Sequence, residues 1–195
     1  MNRIATTRGA VLDTLLPTAR RATLALDAAA IVGGSLIVAL AAQVSVRLPF
    51  SPVPVTGQTL AVLLVGALLG SRRGALALLA YLGEGLIGLP VFAGGASGPA
   101  YALGPTGGYL VGFVAAAFLV GWLAERGWDR HVLPTAMTMA LGTAAIYACG
   151  LTWLSLYVGS QSLSMGLAPF VAGDLIKLAM AAALLPAGWK LLSAE

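Results

Sequence analysis

Three ionisable side chains interrupt long apolar runs of this chain: Glu84, Asp174 and Lys177. A charge inside a lipid-embedded segment is costly, so such residues normally face a partner or a ligand. Asp174 and Lys177 stand three positions apart and share one face of a helix. They can neutralise each other as a structural ion pair. They can equally present an acceptor and a donor to a polar ligand. Glu84 is suited either to a ligand or to capping loop N–H groups. Other chemistries lack their residues. His131 follows Arg130 in a charged stretch and reads as a solvated loop residue, and Cys149 reads as a small residue in an apolar run. A single histidine and a single cysteine leave no zinc cluster and no internal disulfide. The Gly-rich loops contain no G-x-x-x-x-G-K-[ST] pattern for phosphate. No nucleophile–histidine pair or paired carboxylate motif supports an enzyme.

The elements that hold these residues follow from composition. Of 195 residues, 59% are hydrophobic and 9% charged, with a mean hydropathy of +0.93. Soluble domains carry roughly a quarter charged residues. Lipid is the solvent this composition fits. A membrane helix needs roughly 20 predominantly apolar residues. A first span is expected over 22–46, broken by Pro49, Pro52 and Pro54. Two short apolar runs, 60–70 and 75–88, flank a tight charged turn at Ser71-Arg72-Arg73-Gly74. The uncharged stretch 85–124 is too long for one span, and a Gly/Pro-rich loop at 88–108 splits it. Spans over 109–124 and 132–158 follow, joined by the polar loop 125–131. A sixth is expected to about residue 189, with Pro169 in its first turn. Residues 1–21 read as a cytoplasmic N-terminal tail and 22–192 as a single transmembrane domain.

Charge placement orients this map. With the N-terminus inside and six alternating spans, Arg3, Arg8, Arg20, Arg21, Arg72, Arg73, Arg126, Arg130 and Lys190 fall on the cytoplasmic side and only Arg47 outside, as the positive-inside rule expects. The net charge of +4 is therefore topology-setting loop charge, not a nucleic-acid face. The expected fold is an all-α, six-helix bundle, N-in and C-in, in the cytoplasmic membrane. Glu84, Asp174, Lys177, Gln58, Thr59 and Tyr109 then lie at one depth near the outer side, which points to a pocket open outward. In the first span, Ala25, Ala29 and Gly33 recur every fourth residue, as do Ala30 and Gly34. Such small-residue spacing allows close helix approach.

Four segments resemble signatures of the BioY family, in the family's order and spacing. They are Pro52-Val53-Pro54-Val55-Thr56-Gly57-Gln58-Thr59; Gly88-Leu89-Pro90-Val91-Phe92-Ala93-Gly94-Gly95; Gly104-Pro105-Thr106-Gly107-Gly108-Tyr109-Leu110 followed by Gly112-Phe113; and Gly173-Asp174-Leu175-Ile176-Lys177. The resemblance implies a biotin-binding S-component of an energy-coupling-factor transporter, with the loop after the first span helping to cover the pocket. It implies a transmembrane coupling protein and two cytoplasmic ATPases as partners, with Ala25, Ala29 and Gly33 as the docking face. Biotin is then transported ligand; no cofactor is expected.

Biotin offers two ureido N–H donors, a ureido carbonyl, an apolar thioether ring and a carboxylate tail. Asp174 can accept from the ureido N–H groups, and Lys177 can donate to the carbonyl or the carboxylate. Gln58 can do either, and Thr56 and Glu84 complete the polar candidates. Phe92 and Tyr109 can pack on the rings. Arg47 is the only arginine in the outer loops. The rival readings are an S-component for another vitamin, an intramembrane lipid-processing enzyme, and a scaffold that binds only helices.

Overall fold

The structure is a computed structural model and describes residues 10–11 and 20–192. The expected tail, residues 1–21, lies almost wholly outside the described residues. α1 (Arg20–Gln43) leads into a ribbon of β1 (Ser45–Val46) and β2 (Val55–Thr56), pairing Ser45 with Thr56 and Val46 with Val55. α2 (Gln58–Leu86) follows, then a 3-10 turn (Ala93–Gly95), α3 (Pro99–Ala102), α4 (Gly107–Ala124), α5 (Val132–Val158), a second 3-10 turn (Gly159–Gln161), α6 (Ser162–Gly166) and α7 (Val171–Leu192). Among the described residues, five helices are long and apolar enough to cross a membrane. Together they make a multi-pass, all-helical membrane architecture.

α2 is not straight. Gly70 takes φ +84° and ψ 177° inside it, a conformation open to glycine and hostile to a Cβ. The chain folds back there. A Cβ on Gly74 would sit 3.0 Å from the Cα of Gly66. Gln58 hydrogen-bonds Tyr81, 23 positions along, which a straight helix would hold roughly 35 Å away. Residues 58–69 and 71–86 therefore lie side by side. The expected tight turn at Ser71-Arg72-Arg73-Gly74 is corrected: those four residues are helical, and Gly70 makes the reversal. Glu125 makes the new helical start possible. Its Oε1 accepts from the Ser71 N–H at 2.7 Å and from Ser71 Oγ at 2.9 Å, a carboxylate cap where the helix dipole favours negative charge.

The hairpin packs against α1 on one side and α4 on the other, α4 packs on α5, and α5 on α7. The approach to α4 is close. A Cβ on Gly66 would lie 2.6 Å from the Ala117 carbonyl oxygen, and one on Gly121 would strike the Gly70 backbone. Small residues at such contacts let helices gain dispersion energy where lipid supplies no hydrophobic drive. Val62, Leu78, Ala116, Ala117, Val120, Met139 and Ile146 form the centre of the core.

The two ends of the bundle differ. At one end, Arg73 pairs with Asp27 at 2.7 Å. There too, Asp129 is fully buried and accepts from Trp189 Nε1 at 2.6 Å, while Arg130 lies over the Trp189 ring. Burial pushes the Asp129 carboxyl above the usual range, against the Trp189 hydrogen bond. At the opposite end, residues 44–57, 87–106 and 159–170 form the cover of a cavity. Pro169 stands two residues ahead of α7, not in its first turn as the sequence led one to expect. The short helix α6 and a turn closed by Phe170 N–H to the Leu167 carbonyl fill that space first.

Candidate functional site

Asp174 occupies the first turn of α7, and Lys177 follows on the same face. The α5 residue Tyr147 and the first turn of α2 meet them there. Asp174 Oδ1 accepts from Lys177 Nζ at 3.0 Å and from Thr59 Oγ1 at 3.3 Å. Its Oδ2 accepts from the Tyr147 hydroxyl. Lys177 Nζ also donates to the Thr56 carbonyl at 2.9 Å and to Thr59 Oγ1 at 2.7 Å. The side chains of Lys177 and Asp174 are 18% and 11% exposed. The ion pair is thus nearly desolvated but held by several further hydrogen bonds, the condition under which a buried pair is tolerated.

This network forms one wall of a cavity. Gln58, Thr56, Thr59, Tyr109, Tyr147, Asp174 and Lys177 line it with apolar Val53, Phe113, Ile146 and Phe170. Gln58 Nε2 donates to the Tyr81 hydroxyl at 2.6 Å, which fixes the amide and leaves its carbonyl oxygen for a ligand. Tyr109 is anchored by its hydroxyl to the Gly166 carbonyl at 2.8 Å and stands edge-on to Tyr147. A cluster of polar groups set among aromatic and apolar walls suits a ligand with a compact hydrogen-bonding head and an apolar body.

The cover is built from three segments that brace one another. Ser51 Oγ donates to the Met165 carbonyl at 2.8 Å, linking the loop after α1 to α6. Trp153 Nε1 donates to the Gly104 carbonyl at 3.0 Å, and Tyr157 to that of Leu103. Tyr101 lines the cavity with the cover residues Pro54 and Thr106. Burial raises its pKa, against the opposing effects of a Thr106 hydrogen bond and the Arg47 charge.

Not every expected residue comes to this wall. Asp174, Lys177, Gln58, Thr56 and Tyr109 line the cavity. Phe92 is fully buried behind it, stacked on Tyr101 with centroids 5.2 Å apart and edge-on to Tyr81 at 5.6 Å. It shapes the cavity through Tyr101. Glu84 is not among the lining residues: its Oε1 accepts from Ser35 Oγ of α1 at 2.8 Å. Ala25 and Ala29 are exposed on α1, and a Cβ on Gly33 would meet nothing within 4 Å. Gly34 instead faces α2, where a Cβ would lie 2.9 Å from that of Ala77. Sequence reasoning passed over Tyr147 and Tyr101. The signal for Tyr147 was a phenol in an apolar helix, whose hydroxyl needs a partner when buried.

The sequence and the fold are shared with known proteins. The chain matches the profile of the BioY family over residues 14–194. It is 40% identical over 159 residues to a biotin transporter BioY of Rhizobium etli, covering 77% of this chain and 85% of that protein. It is 42% identical over 139 residues to a biotin transporter BioY of Thermotoga maritima, covering 70% and 81%. Among solved structures, the S-component for biotin from an ECF-type ABC transporter superposes with a TM-score of 0.78 at 25% identity, over 89% of this chain and 95% of that one. With its family signatures spread from the loop after α1 to α7 and its fold shared with a solved S-component, this chain belongs to the BioY family.

Proposed function

We propose that this protein is the biotin-binding subunit of a vitamin uptake system, capturing biotin from outside and passing it inward. The observation that carries the reading is the Asp174–Lys177–Thr59–Tyr147 network on the wall of a covered cavity. Ionised Asp174 has about four acceptor positions, of which three are used. The remaining one can take a ureido N–H. Gln58 and Thr56 border the same head group, and Tyr109 packs against the apolar ring. Glu84 then supports the site by tying α2 to α1.

Residues 22–192 act in this reading as one domain of six spans, N-in and C-in, with the halves of α2 crossing separately. The basic residues near Asp27, Glu125 and Trp189 favour that end as cytoplasmic. Exposed Ala25 and Ala29, with half-buried Gly33, whose missing Cβ leaves open space beside them, support docking of a transmembrane coupling protein, to which two ATPase subunits attach, in the cytoplasmic membrane. Biotin is cargo, and no cofactor enters the scheme.

The test is uptake of labelled biotin by cells carrying the chain with its energising module. Desthiobiotin should compete and riboflavin should not. Gly33→Leu should stop uptake while leaving biotin binding to the purified protein intact. Competition by riboflavin would point to a different vitamin, and unimpaired uptake by Gly33→Leu would remove the docking role.

A further inference from the structure

The inner cavity is small. Its open volume is about 50 Å³, whereas ligand pockets usually offer ~300–1,000 Å³. A second cavity of about 390 Å³ adjoins it on the side of the cover. The two share Pro54, Tyr101 and Thr106, so one molecule can occupy both when Tyr101 gives way. The second cavity is lined by the loop after α1 and by the 3-10 turn and α3 segment, and Arg47 is its one charged lining residue.

Lys177 has no N–H donor left for an acidic tail. An ammonium has three N–H donors. Lys177 commits them to the Thr56 carbonyl, Thr59 Oγ1 and Asp174 Oδ1, and its charge is already balanced by Asp174. Nothing in the inner cavity is left to neutralise a carboxylate. Arg47 differs. Among the described residues it has no carboxylate partner, and it is exposed at the rim. Its Nη2 lies beside the Ala93–Gly95 turn, 4.0 Å from where a Gly94 Cβ would be. A larger residue at 94 would narrow that approach.

We infer that Arg47 is a specificity-determining residue: it receives the carboxylate of the ligand in the second cavity, while the polar head reaches Asp174. This rests on the biotin reading and adds an orientation and a reason for selecting acids over their neutral derivatives. A planar guanidinium suits a carboxylate because two N–H donors can meet its two oxygens. The rim position exposes the pair to screening, so the effect is modest and falls with salt.

The experiment is a comparison of biotin with biotinamide, which keeps the head and the tail length and loses the charge. Wild-type protein purified in detergent should bind biotin roughly three- to tenfold more tightly than biotinamide at low salt, the range of an exposed to half-buried charged hydrogen bond. Arg47→Gln should bring the two ligands to equal affinity, with biotinamide binding unchanged from wild type. The advantage should also shrink in wild type as salt rises. An undiminished preference for biotin in Arg47→Gln would overturn the assignment. Binding of neither ligand by wild type would instead overturn the biotin reading itself, so the two failures are distinguishable.

Discussion

Asp174 is the residue on which the site turns. Its carboxylate is held from three directions, by Lys177 on its own helix, Thr59 on α2 and Tyr147 on α5. Removing one donor leaves the others, so the bundle should survive while the acceptor loses its fixed direction. Tyr147→Phe is expected to weaken biotin binding about three- to tenfold, the worth of one hydrogen bond to a part-buried group. Titration calorimetry reads that change, and a melting temperature within a few degrees of wild type shows that the fold is kept. Equal affinity would mean that Tyr147 merely fills space. At this scale the charged residues were legible in the sequence because a charge stands out in an apolar run. Tyr147 and Tyr101 were not. A tyrosine among apolar residues is ordinary, and the partner that gives Tyr147 its role lies 27 positions away. Glu84 shows the converse. It stood out as a charge, yet its partner is Ser35 on α1, outside the cavity.

Among the elements, the hairpin of α2 positions the site. Its first half brings Gln58 and Thr59 to the cavity, and its second brings Tyr81 back to hold Gln58. The apolar runs on each side of the arginines made two short helices legible. The position of the turn was not, because polar Ser71-Arg72-Arg73 looks like a loop. What decides it is Gly70, together with the cap that Glu125 supplies from 54 residues downstream. The 88–108 segment likewise read as a plain loop and instead contains a 3-10 turn and a short helix that carries Tyr101. Gly70→Ala should destabilise the protein by about 1–3 kcal/mol, since a left-handed backbone position resists a side chain. The added Cβ would also lie 2.7 Å from Glu125 Oε1. Thermal unfolding in detergent checks this, and an unchanged midpoint would show that the reversal relaxes freely.

For the molecule as a whole, the two ends have separate duties. The basic end is fastened by Asp129 to Trp189 and by Arg73 to Asp27, and the other end carries a cavity under a braced cover. Apolar composition made the membrane character plain, since 9% charged residues are too few to cover a soluble surface. The cover was less legible, because its bracing contacts join residues far apart in the chain, from 49 positions for Trp153 and Gly104 to 114 for Ser51 and Met165. The central claim is that the network around Asp174 recognises biotin. Calorimetric titration of biotin into purified protein and into Asp174→Asn tests it most directly. Saturable binding at one site per chain is expected, weakened about ten- to hundredfold in the variant by loss of charged hydrogen bonds. No detectable heat or displacement with micromolar-excess biotin, or the same affinity in both proteins, would contradict it.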